Sequence, residues 1–115
     1  MKALQRGDIV HLQFDPASGT EMKGPHFGLV VSPAEFNARF RKAWICPISQ
    51  GEADVARDAS FLVTLMGTGC KTVGSIHTHQ LKSLDYVARQ ARKVESVPGV
   101  VIDEVLDRLR AVLDC

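Results

Sequence analysis

Two histidines separated by one residue stand out in the segment His77-Thr78-His79-Gln80. We predict that they belong to a strand over residues 73–79. On a strand both imidazoles lie on one face, about 6.5–7 Å apart along the chain, with Ile76 on the other face. Because an imidazole changes charge near neutral pH, such a pair can supply a base and an acid. The spacing fits two solvent-exposed sheet histidines equally well.

A metal site is a further interpretation of the same pair, since His-x-His on a strand can hold a divalent ion. A third ligand would have to come from an earlier loop, from Glu21 or His26. No such ligand is obvious from the spacing, so the sequence predicts neither a metal site nor another cofactor.

The loop between Gly19 and His26 carries a carboxylate, an ammonium and an imidazole, on Glu21, Lys23 and His26. Loops of this kind, held by strands, often form binding sites. A solvated hairpin loop is the alternative, and the loop sequence by itself favours it.

Ser49 and Gln50 end another predicted strand with a hydroxyl and an amide. Both groups can bind a phosphate or the edge of a base, although a plain polar turn explains them equally well. Ser49 does not stand in the Gly-x-Ser-x-Gly turn of serine hydrolases, and the spacing does not define a Ser-His-Asp triad.

The elements that must position these residues are mostly short strands, with helices after the second strand and at the end of the chain. Ser32, Pro33 and Glu35 predict a capped helix that ends near Phe40. Residues 84–92 fit either helix or strand, and we predict a short turn there. Strands are predicted over residues 8–14, 27–31, 43–48, 61–65, 73–79 and 93–97.

The C-terminal segment after Pro98 predicts an amphipathic helix. Its apolar face contains Ile102, Val105, Leu106, Leu109, Val112 and Leu113. Packing this helix on a small β-sheet or barrel gives a mainly β, α+β fold, and 115 residues suffice for one domain, residues 1–115.

The formal net charge is +1, but the charges are unevenly distributed along the chain. Twelve basic and eight acidic side chains precede residue 94, whereas two basic and five acidic ones follow. A basic β-rich part followed by an acidic helix is compatible with binding a polyanion.

No apolar run is long enough to span a bilayer, and no secretory signal is visible. The three cysteines are scattered along the chain, which indicates reduced thiols in a cytoplasm.

Several motifs in sequence order resemble the MazF/PemK family of bacterial toxins, which includes Kid and ChpB. The early motifs are Arg6-Gly7-Asp8-Ile9-Val10, Phe14-Asp15-Pro16-Ala17-Ser18-Gly19-x-Glu21 and Val30-Val31-Ser32-Pro33-x-x-Phe36-Asn37. The later ones are Pro47-Ile48-Ser49-Gln50-Gly51, Ala56-Arg57-x-Ala59-x-Phe61, Thr72-x-Gly74, Gln80, Ala88-Arg89, Val97-Pro98 and Glu104-Val105-Leu106-x-Arg108-Leu109. The resemblance therefore covers nearly the whole chain.

The resemblance implies an SH3-like β barrel with a long C-terminal helix, working as a cytoplasmic homodimer. It implies a metal-independent endoribonuclease that cuts single-stranded RNA, usually mRNA, by attack of the ribose 2′-OH. It also implies a cognate antitoxin that blocks the site, with operator DNA bound only through the toxin–antitoxin complex. No membrane partner is expected.

The family's site residues carry over in part. The loop glutamate is Glu21, and Ser49 keeps the hydroxyl of the family's threonine. His26-Phe27 stands where the family has an arginine before a proline, and His77 and His79 stand where PemK-like members have an arginine and an aspartate. We therefore expect the histidine pair and Glu21 to transfer protons, and His26 and Ser49 to stabilise the phosphate. Candidate RNA contacts are Lys23, Gln50, Arg57, Gln80 and Lys82.

Two other functions are compatible with the missing arginines. One is a non-enzymatic toxin of the same fold, similar to the gyrase-poisoning CcdB proteins. The other is a catalytically degenerate family member that acts as an antitoxin-binding regulator. The match around Glu21 favours the nuclease.

Overall fold

The computed structural model describes residues 3–50 and 60–114 and contains one sheet of seven antiparallel strands. The strands are β1 (Asp8–Gln13), β2 (Pro25–Val30), β3 (Ala43–Ser49), β4 (Leu62–Thr64), β5 (Ser75–His77), β6 (Lys82–Leu84) and β7 (Arg92–Ser96). Their order is β4-β5-β3-β2-β1-β7, and β6 pairs with the first half of β3. The helices are α1 (Ala34–Phe40), α2 (Gly99–Leu113) and a 3₁₀ turn, Thr78–Gln80.

Both faces of the central strands are apolar, so the sheet separates two hydrophobic cores. Successive side chains of a strand point to opposite faces, and Ile9 and Val10 accordingly enter different cores. The first core collects Val10 with Leu84 and Tyr86. The second core collects Ile9 with the buried residues of α2, Val101 and Val105. The predicted mainly β, α+β class with a C-terminal helix is confirmed.

Six of the seven strands lie where the apolar patterns predict them, with bounds that shift by a few residues. Strand β6 was not predicted, because Lys82-Ser83-Leu84 contains a single apolar residue and therefore shows no apolar pattern. The turn that follows it and strand β7 match the expectation for residues 84–97. The predicted capping box at α1 is wrong, because Pro33 is the N-cap residue and no side chain caps the helix. The Ser32 hydroxyl instead donates to Asn37 and accepts the Trp44 backbone N–H at 2.9 Å.

Helix α2 is amphipathic as predicted, but its buried residues lie in the N-terminal half of the helix. Val101 is buried, although it was not predicted there. Val112 and Leu113, which were predicted on the apolar face, are 49% and 79% exposed. The described part of the chain contains no helix long and apolar enough to cross a membrane.

Strand β5 is shorter than predicted because two local features limit it. Gly74 has a backbone φ of +130°, a conformation that residues with a Cβ rarely adopt. On the other side, the Thr78 backbone N–H donates to the Phe61 carbonyl oxygen at 3.1 Å, and the Thr78 hydroxyl donates to the same oxygen. The chain therefore leaves the strand after His77 and turns through Thr78–Gln80.

Gly74 also packs directly against the backbone at the end of β3. A Cβ at this position would overlap the carbonyl oxygen of Ser49. We expect Gly74→Ala to lower the free energy of unfolding by about 2–4 kcal/mol, through overpacking and backbone strain. Denaturant unfolding measures this change. Gly67→Ala is the matched control, because Gly67 also has a positive φ but open space at its Cβ; it should cost about 1 kcal/mol. Equal losses in the two variants would contradict the close-contact explanation.

Candidate active site at the ends of β3 and β5

Ser49 is the last residue of β3 and lies beside the start of the antiparallel strand β5, and the side chain of His77, the last residue of β5, reaches it. The strand register places Ser49 opposite Ser75 and Ile48 opposite Ile76. From this position the Ser49 Oγ lies 2.6 Å from Nε2 of His77, within hydrogen-bond distance. His77 is only 2% exposed, whereas Ser49 is half-buried and faces a cleft. The hydroxyl is thus held by a buried imidazole and remains accessible to a ligand.

His79 lies beside His77 but not on the same strand, which corrects the predicted arrangement. It belongs to the 3₁₀ turn and is exposed. The two ring centroids are 5.4 Å apart, with the ring planes tilted by 38°. The predicted proximity of the imidazoles is therefore confirmed, while the shared polar strand face is wrong. Because His77 is buried, only His79 of this pair offers its ring to solvent.

Glu21 is held on the long loop between β1 and β2 by two contacts to the same carboxylate oxygen. The Ser18 backbone N–H donates to Oε1 at 2.8 Å, and the Lys82 ammonium lies 3.3 Å from Oε1. These contacts, the Ser18 N–H first and then the Lys82 ammonium, lower the pKa of Glu21 below its usual value. The structure thus brings together two predicted site residues that are 61 positions apart in sequence.

Gln80 attaches the same loop to the 3₁₀ turn. Its side-chain Oε1 accepts the Met22 backbone N–H at 2.9 Å. At the base of the loop, the Arg89 guanidinium donates to the carbonyl oxygens of Gln13 and Asp15, at 2.6 and 2.8 Å. The loop is therefore anchored at both ends to the segment that follows the histidines. Arg89 was not proposed as a site residue, because a contact to carbonyl oxygens leaves no pattern in the sequence.

A cleft of about 420 Å³ opens beside Ser49. His26 and Gln50, both predicted as site residues, line it together with His11 and Phe27, which sequence reasoning missed. His11 lies on β1 directly opposite Phe27 on β2. The available signal was the position of His11 as a polar residue between the apolar residues of β1. Tyr86, the one tyrosine of the sequence, is buried in the first core and does not line this cleft.

Two further predicted RNA contacts are Lys23 and Arg57. Lys23 is exposed on the long loop, and Arg57 lies outside the described residues. The remaining site residues supply imidazoles, a hydroxyl, a carboxylate and an ammonium; Ser49, which lines the cleft, contacts His77, and Glu21 contacts Lys82. Such a set can transfer protons, donate hydrogen bonds to an anion and balance its charge.

Comparison with known proteins identifies the family of the chain. Residues 5–113 match the profile of the PemK-like, MazF-like toxins of type II toxin–antitoxin systems. The chain is 36% identical over 110 residues to Endoribonuclease PemK of Escherichia coli, covering 96% of this chain and 82% of that protein.

Solved structures show the same fold. The crystal structure of MazF from Deinococcus radiodurans superposes with a TM-score of 0.85 at 30% sequence identity, over 98% of both chains. A MazE–MazF structure from the same organism matches with a TM-score of 0.81 at 28% identity, over 97% of both chains. The profile match and the identity to PemK together show that the chain belongs to the PemK-like, MazF-like toxin family of type II toxin–antitoxin systems.

Proposed function

We propose that this chain is the toxin of its toxin–antitoxin pair and cleaves single-stranded RNA without a metal ion. The observation that carries the proposal is the contact of Ser49, which lines an open cleft, with the His77 imidazole, beside which the His79 ring lies. The similarity to PemK, which is named an endoribonuclease, supports the same activity.

The chemistry requires two proton transfers and stabilisation of a negatively charged phosphorane. The ribose 2′-oxygen attacks the adjacent phosphorus, and its proton passes to a base. The bond from phosphorus to the 5′-oxygen then breaks, and this oxygen receives a proton from an acid. The products are a 2′,3′-cyclic phosphate and a 5′-OH end, so neither water nor a redox partner takes part.

His79 is the group best placed to exchange a proton with the substrate, because its ring is exposed. His77 acts through Ser49. When Nε2 of His77 carries a proton, it donates to the Ser49 oxygen and leaves the hydroxyl proton free for a phosphate oxygen. His26, which lines the same cleft as Ser49, adds positive charge when protonated.

Glu21 fits a positioning role better than that of the base. A carboxylate whose pKa is lowered by a backbone N–H and an ammonium binds a proton weakly. Its charge instead holds Lys82 at the site, 3.3 Å away, where this ammonium can approach the RNA backbone. Lys82 thereby supplies part of the positive charge that the family's arginines provide elsewhere. Lys23, Gln50, Arg57 and Gln80 remain further candidate RNA contacts.

Protein partners follow from family membership and from an exposed apolar surface. We propose that a cognate antitoxin binds the chain and that operator DNA is contacted only through this complex, all in the cytoplasm; the MazE–MazF structure supports a protein partner. We also propose a homodimer. A second cavity of about 410 Å³, lined by Trp44, Leu109 and Val112 among others, supports it, because large exposed apolar patches mark protein interfaces. His79 also lines this cavity, so a partner subunit bound there would lie next to His79.

A single 2′-deoxy substitution tests the proposed reaction. Sequencing of RNA 5′ ends after induced expression locates the cut. A synthetic RNA containing that site should be cleaved, and the same RNA with 2′-H at the attacking ribose should stay intact, because the nucleophile is missing. Cleavage of the deoxy substrate would refute the mechanism. If the all-ribose RNA also stays intact, the nuclease proposal is wrong, and a gyrase supercoiling assay then tests the CcdB-like alternative.

Removal of His79 should slow cleavage about 10²–10⁴-fold, the usual contribution of a general acid or base. His79→Ala should leave the fold unchanged, because the side chain is exposed, and circular dichroism checks this. The wild-type rate should be bell-shaped between about pH 5 and 9, since imidazoles change charge in this range. A flat profile, or wild-type rates in both His79→Ala and Ser49→Ala, would contradict the assignment.

The contact between Lys82 and Glu21 predicts a specific change in the titration of Glu21. In Lys82→Met the pKa of Glu21 should rise toward its usual value of 4.5 but stay below it, because the larger cause, the Ser18 N–H, remains. Carbon-13 NMR of the side-chain carboxyl measures this. Lys23→Met, which removes a loop charge without removing the 3.3 Å contact, is the control. An unchanged Glu21 titration in Lys82→Met would show that the ion pair does not form in solution.

The lowered pKa of Glu21 determines how the stability of the folded chain changes with pH. A carboxylate that is more acidic in the folded chain stabilises it at pH values above the usual pKa of 4.5. This contribution is lost as the pH falls through the lowered value in the folded chain. Lys82→Met should therefore reduce the difference in stability between neutral and acidic pH.

A further inference from the structure

The cleft beside Ser49 has the size and lining of a small-ligand site. Its volume of about 420 Å³ falls in the range of about 300–1,000 Å³ that is typical of ligand pockets. His11 and Phe27 contribute aromatic rings to its lining, and Ser49 and Gln50 contribute polar groups. The cleft thus combines aromatic rings with hydrogen-bonding groups.

The sheet fixes the positions of the two aromatic rings. His11 and Phe27 are cross-strand partners on β1 and β2, and Ile48 on β3 is the next residue in the same row. The His11 and Phe27 rings meet edge to face, with centroids 5.0 Å apart and an interplanar angle of 71°. Phe27 also packs against the second core, while both rings remain partly exposed. The two rings are therefore held in place before any ligand arrives.

We propose that this cleft binds one nucleobase of the RNA, with the base against the rings of His11 and Phe27. The inference rests on the proposed ribonuclease function and names the subsite that holds the nucleotide next to the cut. Single-stranded RNA is recognised by stacking of its bases on aromatic side chains, including histidine, and by hydrogen bonds to the base edges.

The position of Ser49 favours a nucleobase over a peptide side chain from a protein partner. Ser49 lines the cleft and is at the same time 2.6 Å from His77. A base in the cleft therefore places its own ribose and phosphate next to the hydroxyl and the imidazoles. Gln50, exposed at the rim, and His26 then face the polar edges of the base.

An abasic substitution tests this subsite by a double-mutant cycle. Two RNA substrates are compared, one with and one without the base of the nucleotide beside the cut. Loss of the base should lower kcat/KM of the wild type about 5- to 100-fold, the range for stacking of one base. In His11→Ala the intact RNA should be cleaved more slowly, and the abasic penalty should largely disappear. Phe27→Leu, which keeps an apolar side chain against the core, should behave in the same way.

Phe40→Leu is the matched control, because Phe40 is 51% exposed and lies on α1, away from the cleft. It should retain the full abasic penalty. An undiminished penalty in both His11→Ala and Phe27→Leu would overturn the subsite, as would a lost penalty in Phe40→Leu. Variants that cleave RNA normally but lose the dimer or the antitoxin would show that the cleft serves a protein partner, and would also overturn it.

A binding measurement separates this inference from the proposed activity. Fluorescence anisotropy compares a short random-sequence RNA with an abasic oligomer of the same length and charge. Weaker binding of the abasic oligomer to the wild type, but not to His11→Ala, supports the subsite even if no RNA is cut. In that case the nuclease proposal alone fails. Equal binding of the two oligomers to the wild type overturns the subsite.

Discussion

Strand β3 ends beside β5, and the pairing of Ser49 with Ser75 is the contact on which the candidate site depends. It holds the Ser49 hydroxyl 2.6 Å from the His77 imidazole although the two residues are 28 positions apart. Gly74 permits this approach, because any Cβ there would overlap the Ser49 carbonyl oxygen. Because Gly74 has no side chain, the end of β3 can lie close enough to β5 for the Ser49 hydroxyl to contact the His77 imidazole.

The two-sided sheet gives the site a rigid base. Because both faces of β1, β2 and β3 are buried in separate cores, a shift of the strand register by one residue would exchange the two apolar sets. The row from His11 to Ile48 across these strands is fixed for the same reason. Groups that need accurate placement therefore lie at strand ends, whereas Glu21 and Lys23 lie on the long loop.

Residues that are distant in sequence hold the long loop between β1 and β2 in place. Gln80 binds the Met22 backbone, Lys82 pairs with Glu21, and Arg89 binds two carbonyl oxygens at the loop's base. All three residues follow the histidines within one short stretch. Gln80 and Lys82, which we expect to bind RNA, thus also position the loop. A substitution at either residue therefore changes both RNA binding and the position of the loop.

The sequence by itself determined the family, the positions of six strands along the chain and the identity of the main chemical groups. Period-2 and helical patterns located six strands and α2, since burial of an apolar face leaves a periodic signal. Only the tertiary structure decided that His77 is buried and His79 exposed, because the chain leaves β5 after His77 and turns through Thr78–Gln80. The cleft with His11 and Phe27, and the ion pair of Glu21 with Lys82, also required the structure. Such contacts join residues far apart in the chain, and spacing along one strand carries no information about them.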